Sequence, residues 1–577
     1  MEQRCKGTKI GAWDSPPGRA CTASAGGLGL VNTVYEITLS LLTRNYTIMN
    51  TNLIKATALL SPCLLLASGC SRQQDIEKPN ILIVMGDDIS FPHMGAYGTG
   101  WVKTPGFDMV AREGLLFINA YTPNAKSAPS RACFLTGLNS WQLEEAANHV
   151  PYFPQKFTSF FEALEKNGYH TGYTAKGWAP GVARDSLGNQ RLLTGKAYNS
   201  RKLVPETAGI SDIDYAANFE DFLNAATDNK PFCFWYGSLE PHRKYETGSG
   251  VSKGGKKTGD IAKVPAFWPD DEIVRKDMLD YAFEIEHFDN HLVKMLTLLE
   301  QQGKLDNTII IVTADNGMPF PRAKGQVYEY SNHIPMAIMW KKGIRNPGRT
   351  IFDFISFIDI APTILESSGI ANISSAMHKM QGKSFMDIFR SGKKGYIDKT
   401  RNTVLLGKER HDVGRPDDGG YPVRAIISEG FLYIKNYNPE RWPAGNPETG
   451  YLNCDGSPTK SLILNLRREG TTPEYWKLSF AKRGDEELYN IGNDPECFSN
   501  LANDPSYNVV KRRLADRLFD ELLLQDDPRL VSDGTIFDRY PYADNSTKDF
   551  YNRYMKKEIW RKAAGWVDST DFETAGF

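Results

Sequence analysis

Two uninterrupted apolar runs, each ending in acidic or amide side chains, constrain the fold of this chain most strongly. The run 79–85 (PNILIVM) precedes Gly-Asp-Asp, and the run 308–313 (TIIIVT) precedes Ala-Asp-Asn. Because neither run alternates apolar with polar residues, each predicts a strand buried on both faces of a parallel sheet. Helical spacing over 157–164 and 285–299, with a further strand over 169–175, indicates an α/β sandwich.

Oxygen-bearing side chains directly follow both apolar runs. Asp87 and Asp88 come after the first run, and Asp315 and Asn316 come after the second. Ligands of open α/β sheets bind beyond the carboxyl ends of the strands, so we expect the two pairs to share one pocket. Their oxygens suit a hard divalent cation. The alternative is two capped turns, because Asp and Asn also favour turns.

The sharpest motif lies between these two pairs. Residues 127–137 read SAPSRACFLTG, with Ser127 first and Arg131 fifth. This segment resembles the signature of the formylglycine-dependent (type I) sulfatases in its Ser form, and the resemblance covers about residues 79–505. It implies an alkaline-phosphatase-like α/β/α sandwich with a smaller C-terminal antiparallel sheet domain. It also implies that a maturation enzyme oxidises Ser127 to formylglycine.

The same resemblance implies a cofactor and a set of catalytic residues. One Ca²⁺ per active site would be held by Asp87, Asp88, Ser127 as formylglycine, Asp315 and Asn316. A sulfate group needs converging cations. Arg131 would orient the hydrated aldehyde, Lys176 and Lys324 would hold sulfate oxygens, and His242 would donate a proton to the leaving group or hold the sulfate. The alternatives are solvated surface lysines and a structural His242.

Within this family, three stretches resemble the heparan N-sulfatase (sulfamidase) branch: 315–321 (DNGMPFP), 95–97 (GAY) and 421–424 (YPVR). The favoured substrate is therefore N-sulfoglucosamine of heparin or heparan sulfate, and the alternative is an O-sulfated sugar of another glycosaminoglycan or of mucin. That branch has a second active-site His where this chain has Trp178, so substrate contacts are expected to differ there.

Recognition of the sugar requires polar side chains outside the metal loops. Residues 409–412 (ERHD) form a dense polar cluster, and we expect His411 and Arg424 to contact the substrate, with Trp178 as a third candidate. The alternative for the cluster is a charged surface loop.

Two other functions are compatible with parts of the pattern. A phosphatase or phosphodiesterase of the same superfamily would use an unmodified Ser or Thr, two zinc ions and further His ligands, and the Pro-Ser-Arg context of Ser127 disfavours it. A non-catalytic glycan-binding lipoprotein with a sulfatase fold would be expected to have lost Arg131 or part of the metal set, and both are present.

The N-terminal residues differ from the rest of the chain. We expect 1–48 to precede the true start and to form no structure. Residues 49–70 resemble a bacterial lipoprotein signal peptide, with an apolar stretch that ends at Cys70 as the lipidated residue. This predicts a lipid-anchored protein of the bacterial cell envelope that contacts the membrane through its anchor only.

The remaining chain divides into three expected parts and carries little net charge. We expect a catalytic domain over 79–400, a smaller α+β domain over 401–525 and a peripheral tail or wrap over 526–577. With 68 basic and 69 acidic residues, the net charge of −1 argues against general nucleic-acid binding. Eight cysteines without a CxxC pair predict neither a zinc site nor a particular disulfide pairing.

Overall fold

Fourteen strands occur in the residues that the computed structural model describes, which are 77–226, 230–370 and 376–574. They are β1 (Asn80–Gly86), β2 (Leu115–Tyr121), β3 (Tyr152–Phe153), β4 (His170–Ala175), β5 (Val182–Ala183), β6 (Lys196–Ala197), β7 (Phe232–Gly237), β8 (Thr308–Ala314), β9 (Met336–Met339), β10 (Arg349–Ser356), β11 (Thr403–Lys408), β12 (Val423–Ser428), β13 (Phe431–Asn436) and β14 (Glu486–Asn490).

The helices of the same ranges alternate with these strands in the first part of the chain. They are α1 (Pro105–Arg112), α2 (Ser127–Thr136), α3 (Phe160–Lys166), α4 (Tyr215–Ala225), α5 (Ser249–Ser252), α6 (Glu272–Gln301), α7 (Glu329–Asn332), α8 (Ile360–Ser367), α9 (Met386–Arg390), α10 (Pro458–Arg468), α11 (Pro473–Phe480), α12 (Asn508–Leu524), α13 (Pro528–Val531), α14 (Ile536–Arg539) and α15 (Phe550–Met555).

The central sheet has eight strands in the order β10-β2-β9-β8-β1-β7-β4-β6. Four neighbours, β8, β1, β7 and β4, are parallel, whereas β9 runs antiparallel to both β8 and β2. The two apolar runs of the sequence are thus adjacent strands, with Gly86 of β1 paired to Ala314 of β8. Their carboxyl ends meet at one edge, which is where the acidic pairs follow.

Helices cover both faces of this sheet. Leu82 and Val84 of β1 pack into a core with α1, α4 and α6, whereas Ile81 and Ile83 point to the opposite core with α2, α3 and α8. The alternation follows from the two-residue period of a strand. This arrangement confirms the predicted α/β/α sandwich.

A smaller antiparallel sheet, β11-β12-β13-β14, lies on the C-terminal side of the chain. One of its faces packs on α12, and the other packs on side chains that include Tyr121 of β2. Helices α10 and α11, which come between β13 and β14, join the core beneath the main sheet instead. The smaller sheet predicted for this region is confirmed, and residues from Lys78 onward form one compact unit.

The last described residues fold back onto the molecule. Tyr542, Phe550 and Phe572 form a small core with Val413 and Leu452. The predicted signal peptide 49–70, with Cys70, and the segment 1–48 lie outside the described residues. Within the described ranges, no helix combines the length and the apolar character that crossing a membrane requires.

Candidate active site

The carboxyl ends of the four parallel strands and the first turn of α2 surround one cavity of about 630 Å³. Asp87 follows β1, Lys176 follows β4, and His242 lies in the loop after β7. Ser127 begins α2, and Lys324 lies in the loop after β8. All five line the same cavity, so the structure brings these sequence-predicted residues together.

Ser127 lies at the bottom of the cavity and is 3% exposed. Its hydroxyl is 3.2 Å from Asp87 Oδ1 and 3.0 Å from Lys176 Nζ. Lys176 Nζ also donates to Asp87 Oδ2 at 2.5 Å. Because Ser127 is the first residue of a ten-residue helix, the partial positive charge of the helix N-terminus also acts on this position.

Three buried carboxylates meet beside Ser127. Asp87, Asp88 and Asp315 each offer an oxygen, and these oxygens lie within 4.8 Å of one another. The Asn316 amide donates to Asp88 Oδ1, while its own Oδ1 is buried without a hydrogen-bond partner in the described part of the chain. Like charges this close repel strongly, and a buried amide oxygen without a partner is unfavourable. The four residues thus have the composition and proximity of a divalent cation site.

The ionisation of these carboxylates depends on the surrounding cations. Burial alone would raise the pKa of Asp87, but the charges of Lys176, His242 and Arg131 outweigh burial and hold that pKa well below its usual range. Burial and the neighbouring Asp87 charge raise the pKa of Asp315. The surroundings therefore favour the ionised form of Asp87 and disfavour the ionised form of Asp315.

Arg131 and Lys324 are both buried against these carboxylates. Arg131 Nε donates to Asp315 Oδ2 at 2.9 Å. Lys324 Nζ donates to Asp88 Oδ2 and lies 3.6 Å from Asp455 Oδ2. Burial lowers the pKa of Lys324, but the carboxylates of Asp88 and Asp455 outweigh burial and raise it above its ordinary value.

His242 forms the more open side of the site. Its Nδ1 donates to the Arg243 carbonyl at 2.9 Å, which leaves Nε2 facing the cavity 3.9 Å from Asp88 Oδ2. About a third of the side chain is exposed, so an incoming ligand can reach it.

The three expected substrate contacts are placed differently from one another. His411 lines the cavity but is only 2% exposed, and its Nε2 lies 2.6 Å from Asn124 Oδ1. Trp178 is absent from the described residues that line this cavity; its indole donates to the Ala128 carbonyl at 3.1 Å and supports α2 from outside.

The expectation for Arg424 requires a correction. Its side chain is fully buried, with hydrogen bonds of 2.6 and 3.0 Å to Asp527 and an ion pair of 2.8 Å to Glu409. It does not reach the cavity, because it lies on a strand whose residues are buried on both faces. Arg424 is a structural ion-pair residue.

Several cavity residues were missed by the sequence reasoning. Lys126, His149 and Asp455 line the cavity, as do Tyr542 and Trp566 of the C-terminal segment. Lys126 directly precedes the Ser127 motif, and that position was the only sequence signal for it. The others are brought to the site by tertiary packing. The segment expected to be a tail or wrap therefore supplies part of the cavity wall.

Comparisons with known proteins agree with this geometry. The family described as Sulfatase matches residues 79–370, just over half of the 577 residues. An ulvan-active sulfatase of Formosa agariphila is 28% identical over 484 residues, covering 76% of this chain and 74% of that protein. Human N-sulphoglucosamine sulphohydrolase is 26% identical over 472 residues, covering 76% of this chain and 89% of that protein.

A similar solved structure supports the fold. It is a protein in complex with its substrate D-glucosamine-2-N,6-O-disulfate, and it has a TM-score of 0.57, 18% identity, and coverage of 79% of this chain and 100% of that one. At this identity the likeness establishes a shared fold.

Proposed function

This chain belongs to the sulfatase family, and we propose that it hydrolyses the sulfamate of N-sulfoglucosamine in heparin or heparan sulfate. It is a hydrolase that releases sulfate from sulfated glycans. The observation that carries the site assignment is the position of Ser127, whose hydroxyl lies between Asp87 and Lys176 beside three clustered carboxylates. The choice of the sulfamate is supported by the resemblance of residues 315–321, 95–97 and 421–424 to the sulfamidase branch and by the similarity to human N-sulphoglucosamine sulphohydrolase.

We propose that Ser127 acts after oxidation to formylglycine by a maturation enzyme. An unmodified serine would form a stable sulfate ester and trap the enzyme. The hydrated aldehyde would supply two hydroxyls on one carbon, so that one attacks sulfur and the other later allows sulfate to leave. The surroundings of Ser127 support this role, because Asp87 and Lys176 both lie within hydrogen-bond distance of its oxygen.

The acidic cluster is proposed to hold one Ca²⁺ through Asp87, Asp88, Asp315, Asn316 and the modified residue 127. The oxygen-only donor set and the unpartnered Asn316 Oδ1 fit a hard cation. Such an ion would supply charge neutralisation and polarisation of a sulfate oxygen.

The remaining side chains bind and orient the reacting group. Lys176 is paired with Asp87 and Lys324 is paired with Asp88, and both lysines line the cavity. Each ammonium group can therefore also bind a sulfate oxygen. Arg131 holds Asp315 and the backbone next to Lys176 in place. Since Nδ1 donates to the Arg243 carbonyl, Nε2 of His242 is the accessible nitrogen, and in the doubly protonated ring it can give a proton to the departing amine or hydroxyl.

Sulfate release from defined sugars tests this function. The protein is produced with a formylglycine-generating enzyme, and the peptide that contains residue 127 is expected to be two hydrogens lighter than its serine form. Ion chromatography then measures sulfate from N-sulfoglucosamine, from 6-O-sulfated N-acetylglucosamine and from a phosphorylated arylester. Release from the first at the highest kcat/KM supports the proposal.

Two variants complete the test. Ser127→Ala is expected to abolish release without unfolding the protein, whereas Ser252→Ala, an exposed serine outside the cavity, is expected to retain it. Turnover by Ser127→Ala near the wild-type rate would refute the assignment of residue 127 as the nucleophile. Preference for the O-sulfated sugar would instead identify an O-sulfatase, and preference for the phosphoester would refute the sulfatase proposal.

We further propose that the mature protein is anchored in the cell envelope through lipidated Cys70, which the signal-like run 49–70 supports. Several acyl chains anchor a protein firmly, whereas a single chain binds marginally. Membrane fractionation of cells that produce Cys70→Ser is expected to show soluble protein, while Cys63→Ser in the same run is expected to remain with the membrane. Membrane association of Cys70→Ser equal to the wild type would contradict the anchor.

A further inference from the structure

Lys126 differs from the other two lysines that line the cavity. Lys176 is paired with Asp87, and Lys324 is paired with Asp88 and Asp455. Lys126 is 7% exposed, and within the described part of the chain no carboxylate lies within ion-pair distance of its ammonium group. Its hydrogen bond is to the backbone carbonyl of Asn453, at 3.3 Å. The cavity wall thus contains a buried cation whose charge has no counter-charge at contact distance.

The carboxylates that act on the charge of Lys126 are Asp455, Asp88 and Asp412, and each of them lies beyond ion-pair distance of Lys126 and is paired with another cation. His149 lines the same cavity, and its Nδ1 is buried without a partner in the described ranges. Burial and the charges of Lys126, Lys176 and Lys324 lower the pKa of His149 well below its usual value. The nearby Asp412 is already bound by Arg415 at 2.9 Å.

An unpaired buried ammonium group is costly unless a ligand supplies the opposite charge. The reacting sulfate already has two cations available, because Lys176 contacts the Ser127 hydroxyl and Lys324 contacts Asp88 of the acidic cluster. The cavity of about 630 Å³ also exceeds what one sulfate group fills, and it lies in the range of sites that enclose whole small ligands.

We propose that Lys126 and His149 form a second anion subsite, which binds an acidic group of the substrate other than the one that is cleaved. The saccharide would therefore carry at least two negative charges, with the second on either another sulfate or the carboxylate of an adjacent uronic acid. This proposal rests on the proposed sulfatase function and specifies the class of saccharide that the site accepts.

Binding to the Ser127→Ala protein tests this subsite without turnover and without dependence on formylglycine. Isothermal titration calorimetry in calcium buffer compares three probes: N-sulfoglucosamine, its 6-O-sulfated form, and a uronic acid–N-sulfoglucosamine disaccharide. We expect at least one of the doubly charged probes to bind ten or more times tighter than the singly charged one. Which of them gains affinity identifies the second group as sulfate or carboxylate.

Added substitutions assign the effect to Lys126. In the Ser127→Ala background, Lys126→Met is expected to reduce the affinity ratio to below about threefold, and Lys126→Arg is expected to keep most of it. Lys294→Met removes an equivalent charge from the exposed side of α6, and the ratio should not change. Thermal melts verify that each variant is folded.

Equal affinities for all probes, absence of binding by any of them, or an unchanged ratio in folded Lys126→Met would each overturn the subsite. These outcomes are distinct from failure of the proposed function, which is judged by sulfate release from the matured wild-type enzyme.

Discussion

Arg131 Nε donates to Asp315 Oδ2 at 2.9 Å, and neither side chain has any exposed surface. The same guanidinium donates from Nη1 to the carbonyls of Lys176 at 2.8 Å and Gly177 at 3.0 Å. One side chain of α2 therefore connects the end of β8 with the residues that follow β4. This connection fixes the relative positions of Ser127, the acidic cluster and Lys176.

We expect Arg131→Met to destabilise the protein by about 3–5 kcal/mol, because it leaves Asp315 buried without its cation. Urea unfolding monitored by circular dichroism measures the change. Arg131→Lys keeps the positive charge but has no second nitrogen to donate to the carbonyls of Lys176 and Gly177. It should therefore lose less stability than Arg131→Met. A change below about 1 kcal/mol for Arg131→Met would contradict the role assigned to this ion pair.

Calcium is expected to stabilise the protein, because it relieves the repulsion among Asp87, Asp88 and Asp315. At a concentration one hundred times Kd, a ligand that binds only the folded state adds about 2.7 kcal/mol to the free energy of unfolding. Unfolding in calcium and in a chelator measures this increment. Asp315→Asn should remove most of it, and Asp306→Asn, on the exposed surface, should keep it. The same increment in both variants would place the ion elsewhere.

Arg424→Met should reduce stability and spare catalysis, since Arg424 is bound by Asp527 and Glu409 away from the cavity. Removing one member of a buried ion-pair network costs about 3–5 kcal/mol. The kcat/KM of the folded fraction should remain within about twofold of the wild type. Arg441→Met, which breaks a partly exposed pair with Asp538, should cost less than about 1 kcal/mol. If Arg424→Met kept the stability of the wild type but lost much of its kcat/KM, Arg424 would instead be a substrate contact.

His93 makes stability depend on pH. Burial lowers the pKa of His93 from 6.5 to about 3. Below pH 6.5 the unfolded chain therefore binds a proton that the folded chain does not, and the free energy of unfolding falls as the pH decreases. One such group contributes about 1.4 kcal/mol per pH unit. Between pH 6.5 and pH 5, His93→Gln should lose about 1.6 kcal/mol less stability than the wild type does, because half of the unfolded histidine is already protonated at pH 6.5. If the stability of His93→Gln and of the wild type fell equally between these pH values, His93 would not be the source of the pH dependence.

The two acidic pairs could be predicted from the residues alone. Asp87 and Asp315 each follow a strand of the parallel sheet, and both strands can be recognised as apolar runs, whereas Ser127, Arg131 and Lys176 were assigned through the family resemblance. Two parallel strands that are adjacent in a sheet place their carboxyl ends together, so the order of residues along the chain is enough to predict that the two acidic pairs meet.

The missed residues reach the site through packing that no local pattern records. Asp455 lies between β13 and β14, and its approach to Lys324 depends on how that segment packs against the main sheet. Arg424 shows the converse. The resemblance of residues 421–424 to the sulfamidase branch implied a substrate contact, but α12 and its neighbours bury the face of β12 that carries Arg424.

The C-terminal segment also determines when Ser127 is accessible. Tyr542 and Trp566, which help to wall the cavity, are synthesised 415 and 439 residues after Ser127. At roughly 5–20 residues per second, translation of that stretch takes on the order of 20–90 s. Until it emerges and folds, the cavity over Ser127 lacks part of its wall, whereas in the folded chain Ser127 is only 3% exposed. An enzyme that oxidises Ser127 would therefore act on the nascent or unfolded polypeptide, and rapid folding would compete with maturation.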